Sequence, residues 1–291
     1  LAMKLVEEEE NVIEQNKNNG VEETTKVNPN ANVSMKTRPN EKSHIGHVIA
    51  VMSGKGGVGK SFTSCYIATE LKRRGYKVGI MDCDITGPSV PYAFGVTGPV
   101  YGEGSYFEPI KSKIGIEIMS SNLLLDHPDD PIVWRGSMIS TLIEQFYTEV
   151  IWDVDYLILD LAPGTGDIAL TVMQKVKISS VVLVASPQGL VNLIVEKSAK
   201  MAEMLSAPLL SLVENMAYVS CPDCGKKIYL YGESDPQLAK RHGIPVFDEI
   251  PFDQNIAKYV DAGQIEELHV PYLNNTIDAI IRTSRDEENV A

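Results

Sequence analysis

Three groups of residues in this sequence have the types and spacing to do chemistry. The first is Gly54-Lys55-Gly56-Gly57-Val58-Gly59-Lys60-Ser61, which fits the phosphate-binding pattern G-x-x-x-x-G-K-[ST]. Glycines let backbone N–H groups close around phosphate oxygens, and a helix starting behind them adds its positive end. Lys60 has the reach and charge for the β- and γ-phosphates, and the Ser61 hydroxyl can bind Mg²⁺. Gly54 to Phe62 is therefore the expected nucleotide cradle. The second group is the carboxylates Asp82, Asp84 and Asp160, each at or just past the end of an apolar run. An Asp in that position can hold Mg²⁺ directly or through water. The third is Cys221-Pro222-Asp223-Cys224-Gly225, two thiols three residues apart in a Pro/Gly turn. That spacing admits half of a zinc knuckle, a redox dithiol or half of an iron–sulfur site. The pair follows a strand and loop instead of opening a helix, which disfavours the redox reading.

These residues need a frame. Val48 to Ser53 is an apolar run of strand length entering the glycine turn, and Phe62 to Arg74 leaves it with helical character. From His47 onward such runs alternate with helical patterns, the mark of βαβ units. Strands are expected at 47–53, 77–82, 116–120, 155–160, 180–185, 209–213 and 245–250. Helices are expected at 59–74, 137–150, 167–176, 189–205, 234–242, 253–262 and 272–284. The fold class is α/β, a mostly parallel, doubly wound P-loop NTPase sheet flanked by helices, in one domain over 46–291. In such sheets ligands bind outside the carboxyl ends of the strands, so the carboxylates should face the glycine loop. Pro88, Pro91, Pro99 and several glycines make 86–109 read as loop. Residues 1–45 hold no aromatic residue and a run of four glutamates, Glu7 to Glu10, and read as a disordered tail.

Composition narrows the class. The chain has 291 residues, 44% of them hydrophobic, and a net charge of −13, which suits one sizeable core and disfavours nucleic acid as a partner. No apolar run approaches the ~20 residues of a membrane span, and no signal-peptide pattern is seen. The four cysteines fit a reducing cytoplasm, with thiols free for metal.

The loop form G-K-G-G-V-G-K-S resembles the deviant P-loop of the MinD/Mrp superfamily. That resemblance implies that Lys55 crosses a dimer interface to the partner's nucleotide. The runs D-C-D-I-T-G-P-S from Asp82 and D-L-A-P-G-T-G-D from Asp160 are similar to the two switch segments of the Mrp/ApbC group. It implies that Asp84 orients the attacking water, that Asp160 stands on the Mg²⁺ side, and that Asp82 supports the metal shell. It also implies Asn215 on the adenine edge and Pro251 lining the base. With no N-K-x-D in the folded region, ATP is the expected nucleotide. The group carries a C-P-x-C where Cys221 and Cys224 stand, and binds a cluster there that bridges two chains. Two cysteines per chain in a homodimer make four thiolates, the ligand set of a [4Fe–4S] cluster. The implied protein is a homodimeric ATPase of slow basal turnover that carries such clusters to apo-proteins. The alternatives are a zinc-clipped P-loop ATPase and a MinD or partition-type positioning ATPase.

Overall fold

The structure is a computed structural model that describes residues 36–103, 106–125, 136–187 and 191–288. In chain order the elements are β1 (His44–Ser53), α1 (Lys60–Arg73), β2 (Val78–Asp82), α2 (Val90–Phe94), β3 (Gly102–Glu103), β4 (Tyr106–Phe107), β5 (Ile110–Lys111) and β6 (Glu117–Met119). Then follow α3 (Gly136–Thr148), β7 (Asp153–Asp160), α4 (Asp167–Lys175), β8 (Ser180–Ala185), α5 (Val191–Met204) and β9 (Leu209–Asn215). The last part holds β10 (Val219–Ser220), β11 (Lys227–Ile228), α6 (Pro236–Arg241), β12 (Val246–Ile250), α7 (Gln254–Asp261) and α8 (Asn274–Glu288).

Eight strands form one sheet in the order β12-β9-β8-β1-β7-β2-β6-β5, parallel except for the antiparallel β5. Strand β1 lies between β7 and β8, and its alternation sorts the core into two layers. Ile49 and Val51 pack with Ile67, Leu71, Phe94 and Ile277 from α1, α2 and α8. Val48, Ala50 and Met52 point the other way, toward Leu142, Phe146, Val172 and Ala202 of α3, α4 and α5. A sheet covered on both faces needs such near-continuous apolar strands. The register sets Val51 beside Asp160 and Asp160 beside Asp82, so the carboxyl ends of three central strands stand together.

Two expectations about loops are corrected. Residues 86–109 are not all loop: they contain the one-turn helix α2 and the small β3–β4 hairpin. Pro91 is tolerated there because its missing N–H falls in the first turn, where no helical partner exists. The stretch 36–45, read as part of a loose tail, is bound to the body. Lys36 Nζ donates to the carbonyls of Met173 and Val176 at 2.6 and 3.1 Å, and Thr37 N donates to Lys175 O at 2.7 Å. These are the orphan carbonyls at the end of α4, which a cation and a backbone N–H satisfy. The rest of the expected tail, 1–35, lies outside the described residues. Among the described residues, no helix is long and apolar enough to cross a membrane.

Gly79 in β2 passes under the fully buried Trp152, whose Nε1 donates to Phe146 O at 3.0 Å. A Cβ on Gly79 would meet the Trp152 ring at 2.9 Å and Leu157 at 3.1 Å. Gly79→Ala is expected to cost about 1–3 kcal/mol by overpacking, read from the midpoint of denaturant unfolding.

Candidate functional site

The glycine loop joins β1 to α1, and its shape needs glycine at two positions, Gly57 (φ 75°) and Gly59 (φ 83°). The crown of the loop, Gly56 and Gly57, faces solvent, while Val58 and Lys60 are buried. Lys60 Nζ lies 2.7 Å from Asp160 Oδ1, and the Ser61 hydroxyl donates to Asp160 Oδ2 at 2.6 Å. Ser64, one turn further along α1, donates to Oδ1 at 2.7 Å. Three side chains of one helix face thus converge on one carboxylate with no exposed surface. Burial works against the charge on Lys60, and Asp160, with Asp82 and Asp84 behind it, outweighs that and holds the ammonium's pKa above its usual value.

Asp82, expected to support the metal shell, has no exposed surface and is fully hydrogen-bonded. Its Oδ2 accepts from Ser89 N, Val90 N and Ser120 Oγ at 3.1, 3.2 and 3.2 Å, and its Oδ1 accepts from Asp84 N at 3.1 Å. The carboxylate is therefore directed at the backbone of the 84–90 segment, which it holds in place. Asp84 sits half-buried at the head of that segment and accepts from Thr86 Oγ1 at 3.2 Å. Burial and the facing Asp160 push the Asp82 carboxyl up to about 7, against the pull of the Val90 and Asp84 N–H groups and of Lys60.

Asn215, expected on the adenine edge, has its carboxamide committed under the loop. Nδ2 donates to Val58 O at 2.9 Å, and Oδ1 accepts from Met216 N at 2.9 Å. A Cβ on Gly59 would stand 2.0 Å from Asn215 Nδ2, so Gly59 is required by contact as well as by φ. Pro251 follows β12 and is buried, and Ile250 is in register with Asn215. Lys55 is half-buried, and its carbonyl accepts from Ser53 Oγ at 3.0 Å. Phe62 stacks on Tyr66, ring centres 5.8 Å apart.

The thiol pair stands on the hairpin of β10 and β11, beyond the carboxyl end of β9. Gly225, at φ 72°, closes the turn with its N–H on Cys221 O at 2.9 Å, and Cys221 N donates to Lys226 O at 3.0 Å. Cys221 is half-buried and Cys224 exposed. N–H groups of Cys224 and Asp223, then the Cys224 thiol, hold the Cys221 thiol below its usual pKa and favour the thiolate that binds metal. Among the described residues, no group of three or more His, Cys, Asp or Glu side chains is arranged to hold a metal. Cys65 and Cys83 are fully buried, and burial pushes both thiols well above their usual pKa.

Residues 44–283 match the family described as NUBPL iron-transfer P-loop NTPase, within the ParA grouping. The chain belongs to that family. It is 41% identical over 234 residues to an iron-sulfur cluster carrier protein of Clostridium perfringens, covering 77% of this chain and 82% of that one. It is 40% identical over 225 residues to the protein of the same name from Saccharolobus solfataricus, covering 76% of each. Among solved structures, a nucleotide-binding protein from Archaeoglobus fulgidus in complex with ADP is 43% identical, with a TM-score of 0.71 over 78% of this chain and 90% of that one. The cell division ATPase MinD of Pyrococcus furiosus, at 17% identity and a TM-score of 0.55, shares the fold.

Sequence reading missed Ser64, Ser120 and the second use of Asn215. Ser64 carried a signal, since it lies four residues after Lys60 and so on the same helix face. Ser120 carried none, because only the β2–β6 pairing brings it to Asp82.

Asp82 yields a pH dependence with a fixed sign. Between an unfolded value of about 3.9 and the folded value, the folded state keeps a proton that the unfolded chain has released. Stability is thus lost as pH rises through that window. The stability difference between the protein and Asp82→Asn should shift against the wild type from pH 4 to 7, by at most ~1.4 kcal/mol per pH unit, and level off above. Denaturant unfolding across pH 4–8 checks it, and a difference that does not vary would be the contrary result.

Proposed function

We propose that this chain is an ATP-hydrolysing carrier that works as a homodimer, holds a [4Fe–4S] cluster as cargo between two Cys221/Cys224 pairs, and passes it to apo-proteins. The observation that carries the reading is the solvent-facing thiol hairpin with no third ligand among the described residues. Half a ligand set on an open turn is what a two-fold axis completes. The names of the relatives from C. perfringens and S. solfataricus support the cargo, and the ADP complex from A. fulgidus supports the nucleotide.

The roles follow the chemistry of the side chains. Lys60 neutralises the terminal phosphates, and Ser61 with Asp160 would hold Mg²⁺, which when bound offsets phosphate charge. Both Lys60 and Ser61 already bond Asp160, so nucleotide and metal compete with contacts that now stabilise the site. Asp84, on the segment fixed by Asp82, would orient the attacking water. Lys55 acts across the dimer on the partner's nucleotide, and Asn215 and Pro251 close the base side. The domain over 46–291 carries both centres; the basal turnover is slow because closure needs the second chain.

The two centres should separate under mutation. Cys221→Ala or Cys224→Ala is expected to lose iron and sulfide after anaerobic reconstitution while keeping ATP affinity. Lys60→Ala is expected to lose tight ATP binding while keeping the cluster. Wild type should hold about two irons per chain, one [4Fe–4S] cluster for two chains. Iron, zinc and sulfide per chain, measured beside ATP binding, check this, and zinc without sulfide would contradict it.

A further inference from the structure

The hairpin that carries the thiols cannot orient itself. Its two strands have two residues each, paired Val219 with Ile228 and Ser220 with Lys227. Residues 222–228 are all exposed, and only Val219 and Cys221 of the hairpin are half-buried, so little apolar burial fixes it to the body. A two-stranded hairpin of this size is marginal alone. Its return strand is tied down at one carboxylate and against the Tyr218 ring. Glu249 of β12, only 20% exposed, accepts from Lys227 Nζ at 2.8 Å and from Tyr229 OH at 3.3 Å. The same ammonium lies 4.1 Å from the centre of the Tyr218 ring, and Tyr218 packs against Tyr229 at 5.7 Å. Tyr218 is in turn held by Phe252 N, which donates to its carbonyl at 2.7 Å, and Ala217 N donates to Ile250 O at 2.9 Å.

Burial works against the charge of Glu249, and the Lys227 hydrogen bond, then Ser234, the Lys227 charge and Tyr229, overcome it and hold the carboxyl below its usual range. The hydrogen bond that Lys227 donates to Glu249 raises the lysine's pKa correspondingly. The clasp therefore joins a charged pair, a cation over a ring and a tyrosine hydroxyl at one point. Its anchor strand β12 is paired with β9, whose last residue, Asn215, holds the phosphate loop through Val58 O. The thiols and the loop are thus referred to the same two strands.

We propose that Glu249 is a positioning residue for the thiol pair: through Lys227 and Tyr229 it sets the angle at which Cys221 and Cys224 are presented to the cluster. This rests on the reading of the pair as the cluster site. Its effect is on the hairpin as a body, not on the turn between the two cysteines, which Gly225 and Lys226 close on their own.

The test compares wild type, Glu249→Gln, Lys227→Met and the charge-exchanged pair Glu249→Lys with Lys227→Glu. Four readouts are taken: amide hydrogen exchange, affinity for phenylarsine oxide, ATP affinity, and cluster release to an iron chelator after anaerobic reconstitution. Phenylarsine oxide needs only the two thiols of one chain, whereas a shared cluster needs two hairpins correctly aimed. Each single variant is expected to exchange faster over 219–229, to bind the arsenical and ATP as wild type does, and to release the cluster ~3- to 10-fold faster. The exchanged pair should recover most of the slow release. Unchanged exchange over 219–229 in Glu249→Gln would overturn the proposal. Arsenical binding weakened as much as cluster binding would overturn it too, because the damage would then lie in the turn. If exchange responds as expected but wild type takes up no cluster, the cargo reading fails and the clasp stands.

Discussion

The buried carboxylate of Asp160 accepts from Lys60, Ser61 and Ser64, and the nucleotide end of the molecule is arranged around those contacts. A charge without exposed surface is tolerated only when paired and hydrogen-bonded, and removing one partner from such a pair costs about 3–5 kcal/mol. The pair exists because two chain segments a hundred residues apart meet in one register, Val51 of β1 beside Asp160 of β7. The strand before the glycine loop fixes where Lys60 begins its helix, and the strand on its flank supplies the counter-charge. On the far side of Asp160, Asp82 uses its oxygens on the segment that carries Asp84. One row of three strand ends therefore sets the phosphate loop, Asp160 and the segment that carries Asp84 in order.

The second centre lies at the same end of the sheet but is built by opposite means. Around Asp160 the polar contacts are buried or half-buried, between a helix and the central strands. The thiol hairpin is exposed, short and held by a few polar contacts to β12 and to the end of β9. An element of this kind can be reached with little packing broken. Asn215 joins the two regimes: its side chain grips the phosphate loop, and Met216, in a left-handed conformation at φ 58°, turns the chain toward the hairpin.

Much of this was legible beforehand because strong local patterns carried it. The strands read as apolar runs since both faces of the sheet are covered, and the glycine loop read as a phosphate site since its geometry demands particular residues at fixed spacing. The one-turn helix α2 escaped notice because proline and glycine dominate its surroundings, while its stability comes from a distant carboxylate, Asp82, accepting its first N–H groups. The docking of 36–43 escaped because polar side chains bonding to helix-end carbonyls leave no apolar signature. Asn215 was seen as a special residue, but its partner, the Val58 carbonyl, is a backbone atom 157 residues away. The clasp of Glu249 with Lys227 and Tyr229 was invisible for a like reason. A glutamate in an edge strand and a lysine in an exposed hairpin are each ordinary, and only the fold sets them together.

In the proposed function, one cluster is shared by two copies of this chain through Cys221 and Cys224. Native mass spectrometry of the anaerobically reconstituted protein tests it most directly, because it weighs chains, iron and sulfide in one species. The expected result is a two-chain species carrying a single [4Fe–4S] cluster, with cluster-free chains appearing as monomer or as dimer without iron. A single chain carrying a complete [4Fe–4S] cluster, or a dimer carrying one cluster on each chain, would contradict it.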